Sequence, residues 1–501
     1  MKKPITLLEI HSFKGKYPPQ LWFLFLVEMW ERFTFYGMRG MLVIFMVERL
    51  RMNESEANLK YGATQAFVYT MAFVGGFFAD KILGFRKSVF WGGLLMILGS
   101  TILACSPEDW FFTGISFIIV GTGFFKPNIS TMVGELYKEG DPRRDAGFGL
   151  FYSGINLGAF LGGLLCMMAA NRYSWNLAFG LAGFFMLGGL LLFLFTQKFL
   201  GQIGQSPLLH KSKKERRLKE GMVFLGSLAI LPCILLLVQN TRFTDIFLWT
   251  IGPLSLAYLI WETFKLPRAE RRRMLAAFIL IFFSIIFWAF FEQSGGSLSL
   301  FSRHNLRPEL FSFTVNPNEV NNSINSLFVI MFSPLAGLLW LAMGRKGKEP
   351  SDAYKFGFGF IFLALGFFLF YSMRNFADSA GTINLNIFVL AYFALTLGEL
   401  CLSPIGLSLM TKLSPKPLWG MMMGFWFLAS AYGQYAAGII GAGMTVPEAG
   451  ASLYQKMLAY TEGYRQLAWV AVFAGILLLL LAPMLGKLMK AEPPKDHVEH
   501  A

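Results

Sequence analysis

The sequence predicts an all-α polytopic membrane protein of about fourteen helices, from two main observations. First, hydrophobic residues make up 55% of the 501 and charged residues only 15%, with a mean hydropathy of +0.52. A water-soluble chain cannot hide that much apolar surface. Second, apolar runs of roughly 20 residues, the length that crosses about 30 Å of hydrocarbon, recur from end to end between short polar loops.

The spans fall near 21–48, 57–80, 87–105, 109–134, 145–170 and 175–197, then 221–239 and 243–264. Six more lie near 274–297, 320–343, 353–373, 386–411, 419–441 and 464–486. The order divides as six, two, six. It predicts a six-helix bundle over 1–200, two inserted helices within 201–272, and a second six-helix bundle over 273–501. The inserted pair is flanked by the most basic segments, HKSKKERRLKE and KLPRAERRR, and reads as free of charge in its apolar cores. A peripheral position is expected. Phe, Gly and Met are abundant (54, 51 and 25), and small residues let helices approach closely in lipid.

The net charge of +14 reads as topology, so no nucleic-acid partner is expected. With loops assigned alternately to the two sides, about 31 Lys/Arg fall on one side and about 10 on the other. Positive residues stay in the cytoplasm, which places both termini there. Contact with anionic lipid of the bilayer is a by-product. Residues 1–20 are polar, so no cleavable signal peptide is expected. The four cysteines, Cys105, Cys166, Cys233 and Cys401, are widely spaced packing residues. No metal or cofactor is expected.

An ionisable side chain at bilayer depth costs several kcal/mol, so it needs a partner or a wet cavity. Seven are found: Glu28, Glu31, Arg32, Arg39, Lys126, Glu292 and Glu399. All three bases belong to the first half, and the second half contributes only acids. At about 100° per residue, Glu28, Arg32, Phe35 and Arg39 share one face of the first span, flanked by Glu31 and Tyr36. That polar stripe should line an internal cavity. The first half carries three bases against two acids, so charge pairing must cross the midline.

Such an arrangement fits a zwitterion. Arg39 and Lys126 suit a carboxylate, and Glu399 on the facing half suits an ammonium. Phe35, Tyr36, Tyr69, Trp288 and Trp426 supply walls for varied side chains. The five histidines all lie in loops or termini. A proton-coupled step then needs a carboxylate that burial disposes to take up a proton. Glu28 and Glu31, beside Arg32, are the candidates. No GxxxxGK[ST] phosphate loop and no HExxH occurs, so neither an ATP-driven pump nor a metalloenzyme is supported.

Two resemblances sharpen this reading. Gly76 to Lys87, with Asp80, Gly84 and Arg86, resembles the loop signature of the major facilitator superfamily, in which the Asp and the basic residues tie helix ends together. A weaker echo, Gly337 and Gly344-Arg345-Lys346, lacks the Asp. In the first span, Glu28-x-x-Glu31-Arg32-Phe33-x-x-Tyr36-Gly37 resembles the ExxERFxYYG signature of proton-dependent oligopeptide transporters. Four further motifs follow in order: Phe124-Phe125-Lys126-Pro127-Asn128, Phe151-Tyr152-x-x-Ile155-Asn156-x-Gly158, Phe287-Trp288-x-x-Phe291-Glu292-Gln293, and Gly398-Glu399-x-x-x-Ser403-Pro404-x-Gly406.

That family resemblance implies the major facilitator fold and symport of di- and tripeptides with protons into the cell, across the inner membrane of a bacterium. It implies that Glu28, Glu31 and Arg32, with Lys126, form the proton-coupling cluster. Arg39–Glu292 would be the outer gating pair and Lys126–Glu399 the inner one. Tyr36, Arg39, Tyr69, Lys126, Asn156, Trp288, Asn325, Glu399, Trp426 and Ser430 would line the peptide site. Phe35 stands where the family has the first tyrosine of its YY pair, which removes a hydroxyl. Nothing requires more than a monomer. The alternative is a proton-coupled carrier of another small solute, such as nitrate, a drug or an amino-acid derivative, on the same fold.

Overall fold

A computed structural model describes residues 6–138, 140–402, 406–415, 418–446 and 450–490. Fourteen long helices follow the expected order. The first six are α1 (Pro19–Glu48), α2 (Glu54–Leu83), α3 (Phe85–Cys105), α4 (Pro107–Glu135), α5 (Arg143–Arg172) and α6 (Trp175–Leu200). Two more, α7 (Lys213–Gln239) and α8 (Thr241–Phe264), precede α9 (Arg268–Asn305), α10 (Pro317–Arg345) and α11 (Asp352–Phe376). The last three are α12 (Asn386–Leu402), α13 (Trp419–Gly443) and α14 (Leu453–Met489).

Among the described residues, eleven of these helices are long and apolar enough to cross a membrane. The three others are less apolar or shorter for visible reasons. α1 carries Glu28, Glu31, Arg32 and Arg39, α13 is diluted by glycines and Gln434, and α12 has only 17 residues. The span expected over 386–411 is α12 followed by a short helix, Gly406–Leu413. Ser403 and Pro404 of its motif, like the extreme termini, lie outside the described residues.

Local sequence sets the helix starts. Proline occupies the first turn of α1, α4 and α10, where its missing N–H has no helical partner in any case. The Asn53 side chain accepts the Glu56 amide at 2.7 Å to cap α2. Ser452 and Gln455 form a reciprocal capping box on α14. A 3-10 turn at Glu292–Gly295 interrupts α9.

Within the first half, α1 packs on α5 and α6, and α4 on α2 and α3; within the second, α11 packs on α12 and α14. Two seams join the halves, α2 along α13 and α5 along α10. Glycine makes both close. A Cβ on Gly62 of α2 would lie 2.8 Å from the Gly438 Cα of α13, and one on Gly163 of α5 would strike the Asn322 backbone of α10.

The inserted helices lie on the outside, as expected, but they touch both halves. Lys87 pairs with Glu220, and the Trp91 indole N–H donates to Ser227 Oγ at 2.9 Å, so α7 rests on α3. The Tyr435 hydroxyl donates to Asp245 at 2.6 Å, and Tyr432 donates to the Leu248 carbonyl, so α8 rests on α13. Asp245 corrects the reading of a charge-free core: the Tyr435 hydroxyl provides the carboxylate with a polar partner there. A second correction concerns the loop before α3. Arg86 is the tie, donating to the Ile203 and Gly201 carbonyls at 2.6 Å each, whereas Asp80 pairs with its neighbour Lys81.

Candidate functional site

The polar stripe of α1 faces inward, as its periodicity predicts. Near its start, Glu28, Glu31 and Arg32 are almost wholly buried. Arg32 Nε lies 3.0 Å from Glu28 Oε1 and also pairs with Glu31. Two carboxylates thus lean on one guanidinium, and the triad holds one negative charge in excess. In a dehydrated site such an excess is costly, and a single proton removes it. Phe35 does not stand free beside this triad; its ring lies under the Arg32 guanidinium, 5.4 Å from centroid to Cζ.

Two turns further along α1, Arg39 meets Glu292 of α9 in a direct ion pair between the halves, with side-chain exposures of 14% and 7%. The same guanidinium donates from Nε to the Tyr61 hydroxyl at 2.8 Å and from Nη2 to Ser294 Oγ at 3.1 Å. The 3-10 turn in α9 brings Glu292 and Ser294 to one spot. The Tyr36 ring borders the guanidinium at 5.5 Å.

Further ionic contacts between the halves cluster beyond Arg39. Arg303 of α9 pairs with Glu48 at 2.6 Å and donates to Asn171 at 2.9 Å. Glu54 takes Lys456 and the Tyr460 hydroxyl of α14, with His304 Nδ1 at 3.5 Å. Among the described residues, every ion pair between the first six and the last six helices lies at this Glu54 end. The opposite end holds a cavity of about 730 Å³, lined by Lys126, Ser130, Glu135, Lys138 and Arg144 on one side and by Met423 and Phe427 of α13 on the other. One end is latched and the other is open.

Glu399 of α12 is buried and accepts a hydrogen bond from Asn325 Nδ2 at 2.9 Å; the same amide group donates to Thr396 Oγ1 at 3.1 Å. Asn325 and Arg39 line one small polar chamber, together with Tyr36, Ser294, Asn321 and Tyr392. Arg39 thus borders this chamber directly, Glu399 adjoins it through Asn325, and Lys126 lines the separate large cavity. Lys126 and Glu399, expected as an ion pair, are not paired in this conformation. Lys126 Nζ lies 4.4 Å from the centroid of the Tyr69 ring, within its own half, and Glu399 is held by Asn325, within the other.

The remaining expected residues are less engaged. Asn156 and Ser430 donate to carbonyls of their own helices, those of Tyr152 and Trp426, both at 3.0 Å. Trp288 is half-buried and packs edge-on to Phe287 and Phe291, while Trp426 is half-buried against the core. Tyr61, Ser294, Asn321, Tyr392 and Thr396 were not read from the sequence. The spacing Asn321-Asn322-x-x-Asn325 on an apolar helix was the available signal: amides i and i+4 share a face. Asn321 Oδ1 accepts the Tyr392 hydroxyl at 2.6 Å, and its Nδ2 donates to the Ser294 carbonyl at 3.0 Å.

Comparison with known proteins agrees with this architecture. A profile of the POT family matches residues 86–457. The chain is 34% identical over 485 residues to the peptide transporter YePEPT of Yersinia enterocolitica, covering 92% of this chain and 93% of that one. It is 31% identical over 476 residues to dipeptide and tripeptide permease B of Aliivibrio fischeri, covering 94% and 95%. The crystal structure of a peptide transporter POT in complex with sulfate superposes with a TM-score of 0.81 at 32% identity, covering 97% of this chain and 100% of that one. The profile spans well over half of the chain, and the likeness to the relatives runs nearly end to end: the chain belongs to the POT family.

Proposed function

We propose that this chain imports di- and tripeptides by proton-coupled alternating access. Family membership and relatives named as peptide transporters support the substrate class. One observation carries the mechanism: Arg39 and Asn325, the latter bonded to Glu399, border one polar chamber from opposite halves, with a buried triad of two acids and one base two turns away along the same face of α1. Arg39 takes the peptide carboxylate and Glu399 takes the ammonium. Lys126, free of any ion pair here, approaches the carboxylate end from the large cavity.

Protonation of the Glu28–Glu31–Arg32 triad relaxes its hold on Arg32 and lets the halves rock. The conformation supports an order of events. The Glu54 end is latched by ion pairs while the Lys138 end is open, and the basic loops of that open end support a cytoplasmic side for it. This is the inward-facing state, with the Lys126–Glu399 pair expected only when that end closes. We take 1–200 and 273–501 as the two moving bodies, 201–272 as the inserted pair, the cell inner membrane as the location, and the single chain as the transporting unit. Tyr69, Asn156, Trp288, Trp426 and Ser430 form the adaptable wall of the pocket.

Competition tests the substrate class. Uptake of labelled di-alanine into proteoliposomes is reduced by unlabelled di- and tri-alanine, and not by nitrate or free alanine. Competition by nitrate alone transfers the chain to the alternative reading.

A further inference from the structure

We propose that Tyr61 is a positioning residue that keeps the Arg39 guanidinium aimed at the substrate carboxylate through both states of the transport cycle; this rests on the reading of Arg39 as the carboxylate anchor. The guanidinium has three hydrogen-bonding partners. Glu292 and Ser294 both belong to α9, in the second half, and they leave together when the Glu54 end opens. Tyr61 belongs to α2, in the same half as Arg39, and it stays. Its hydroxyl accepts from Arg39 Nε at 2.8 Å, and the whole side chain is buried.

The choice of atom matters. A tie at Nε leaves the two terminal nitrogens pointing away as a fork, the geometry that grips a carboxylate with two parallel hydrogen bonds. The partner is also neutral. A phenol holds the direction of the guanidinium without cancelling its charge, so it does not compete with the arriving carboxylate as Glu292 does. Without that tie, a long side chain released from Glu292 would regain its rotamer freedom just when substrate enters. The ring itself is held at the interface: a Cβ added to Gly295 of α9 would collide with the Tyr61 hydroxyl.

The test compares di-alanine with its C-terminal amide, using full-length protein in proteoliposomes. In the wild type the free acid has the lower KM. In Tyr61→Phe the KM for the acid rises roughly tenfold, as expected for loss of a hydrogen bond to a charged group, while kcat and the KM for the amide stay unchanged. Gly295→Ala, which presses on the hydroxyl instead of deleting it, moves the acid-to-amide ratio the same way. Equal rises for acid and amide in Tyr61→Phe, or an unchanged ratio in both variants, overturn the assignment of Tyr61 alone. A wild type that takes up peptide without preferring the acid overturns the reading of Arg39, and that of Tyr61 with it.

Discussion

Arg39 and Glu292 form a direct ion pair that joins α1 to α9 across the interface between the two halves. Both side chains are largely shut off from solvent, so removing one charge leaves the other stranded, a loss of about 3 kcal/mol by the usual scale for buried pairs. Glu292→Gln should weaken the latch at the Glu54 end. Spin labels at Arg51 and Leu453 should report a longer and broader distance distribution in this variant, with uptake of di-alanine reduced at least about tenfold. An unchanged distribution would mean that the pair does not hold this end shut.

The triad at the start of α1 makes a separable prediction. Glu31→Gln gives Arg32 a single carboxylate partner and removes the excess charge that a proton would neutralise. Accumulation driven by a pH gradient should be abolished. Counterflow should survive, because exchange needs binding and reorientation but no net proton cycle. Accumulation at the wild-type level removes Glu31 from the coupling role.

Glu399 is expected to act on binding. It accepts a hydrogen bond from Asn325, which lines the chamber that Arg39 also borders. Glu399→Gln keeps the shape and loses the charge, so the KM for di-alanine should rise by roughly tenfold or more, the effect of a charge-assisted hydrogen bond. Measured initial rates of uptake at a range of concentrations decide this.

The seam between α2 and α13 has no room for a side chain at Gly62, where an added Cβ meets the Gly438 backbone. Gly62→Val should pry the seam apart and cut uptake at least about tenfold, since neither backbone has a low-cost way to yield. Protein that purifies as a single sharp species yet transports at the wild-type rate would show that this seam is not tightly closed during the cycle.

The pH dependence of transport should not come from the loop before α5. Hydrogen bonds from the Arg143 side chain and amide hold the Asp141 carboxyl down to about 2. A depressed folded-state value stabilises above the unfolded pKa, near 4, and is lost only as pH falls through about 2. Between pH 5 and 8 this staple does not change. Asp141→Asn should leave the shape of the pH profile of uptake intact, which separates it from the triad.

Much of this was legible in the sequence because membrane depth makes charge conspicuous. Arg39, Lys126, Glu292 and Glu399 stand out in apolar runs, and the helical period puts Glu28, Arg32 and Arg39 on one face. What the sequence hides are neutral polar partners. Tyr61 is one of several polar residues in its stretch of α2, beside Asn58, Lys60, Thr64 and Gln65, and nothing in sequence aims it at Arg39; Ser294 is indistinguishable from any serine near a helix break. The Asn325 amide could have been inferred from its spacing to Asn321, yet its partnership with Glu399 depends on how α10 meets α12. The absent Lys126–Glu399 pair shows a different limit, because a motif specifies a contact without specifying the conformation in which it forms. Asp245, a carboxylate one turn inside α8, has the sequence signature of an interfacial residue, and its partner Tyr435 lies 190 residues away.

Proton-driven peptide accumulation tests the central claim most directly. Purified protein in liposomes, with an imposed pH gradient acid outside, should concentrate labelled di-alanine inside well above the external level and lose that excess on adding a protonophore. Uptake that stops at equal concentrations on both sides, whatever the gradient, would contradict it.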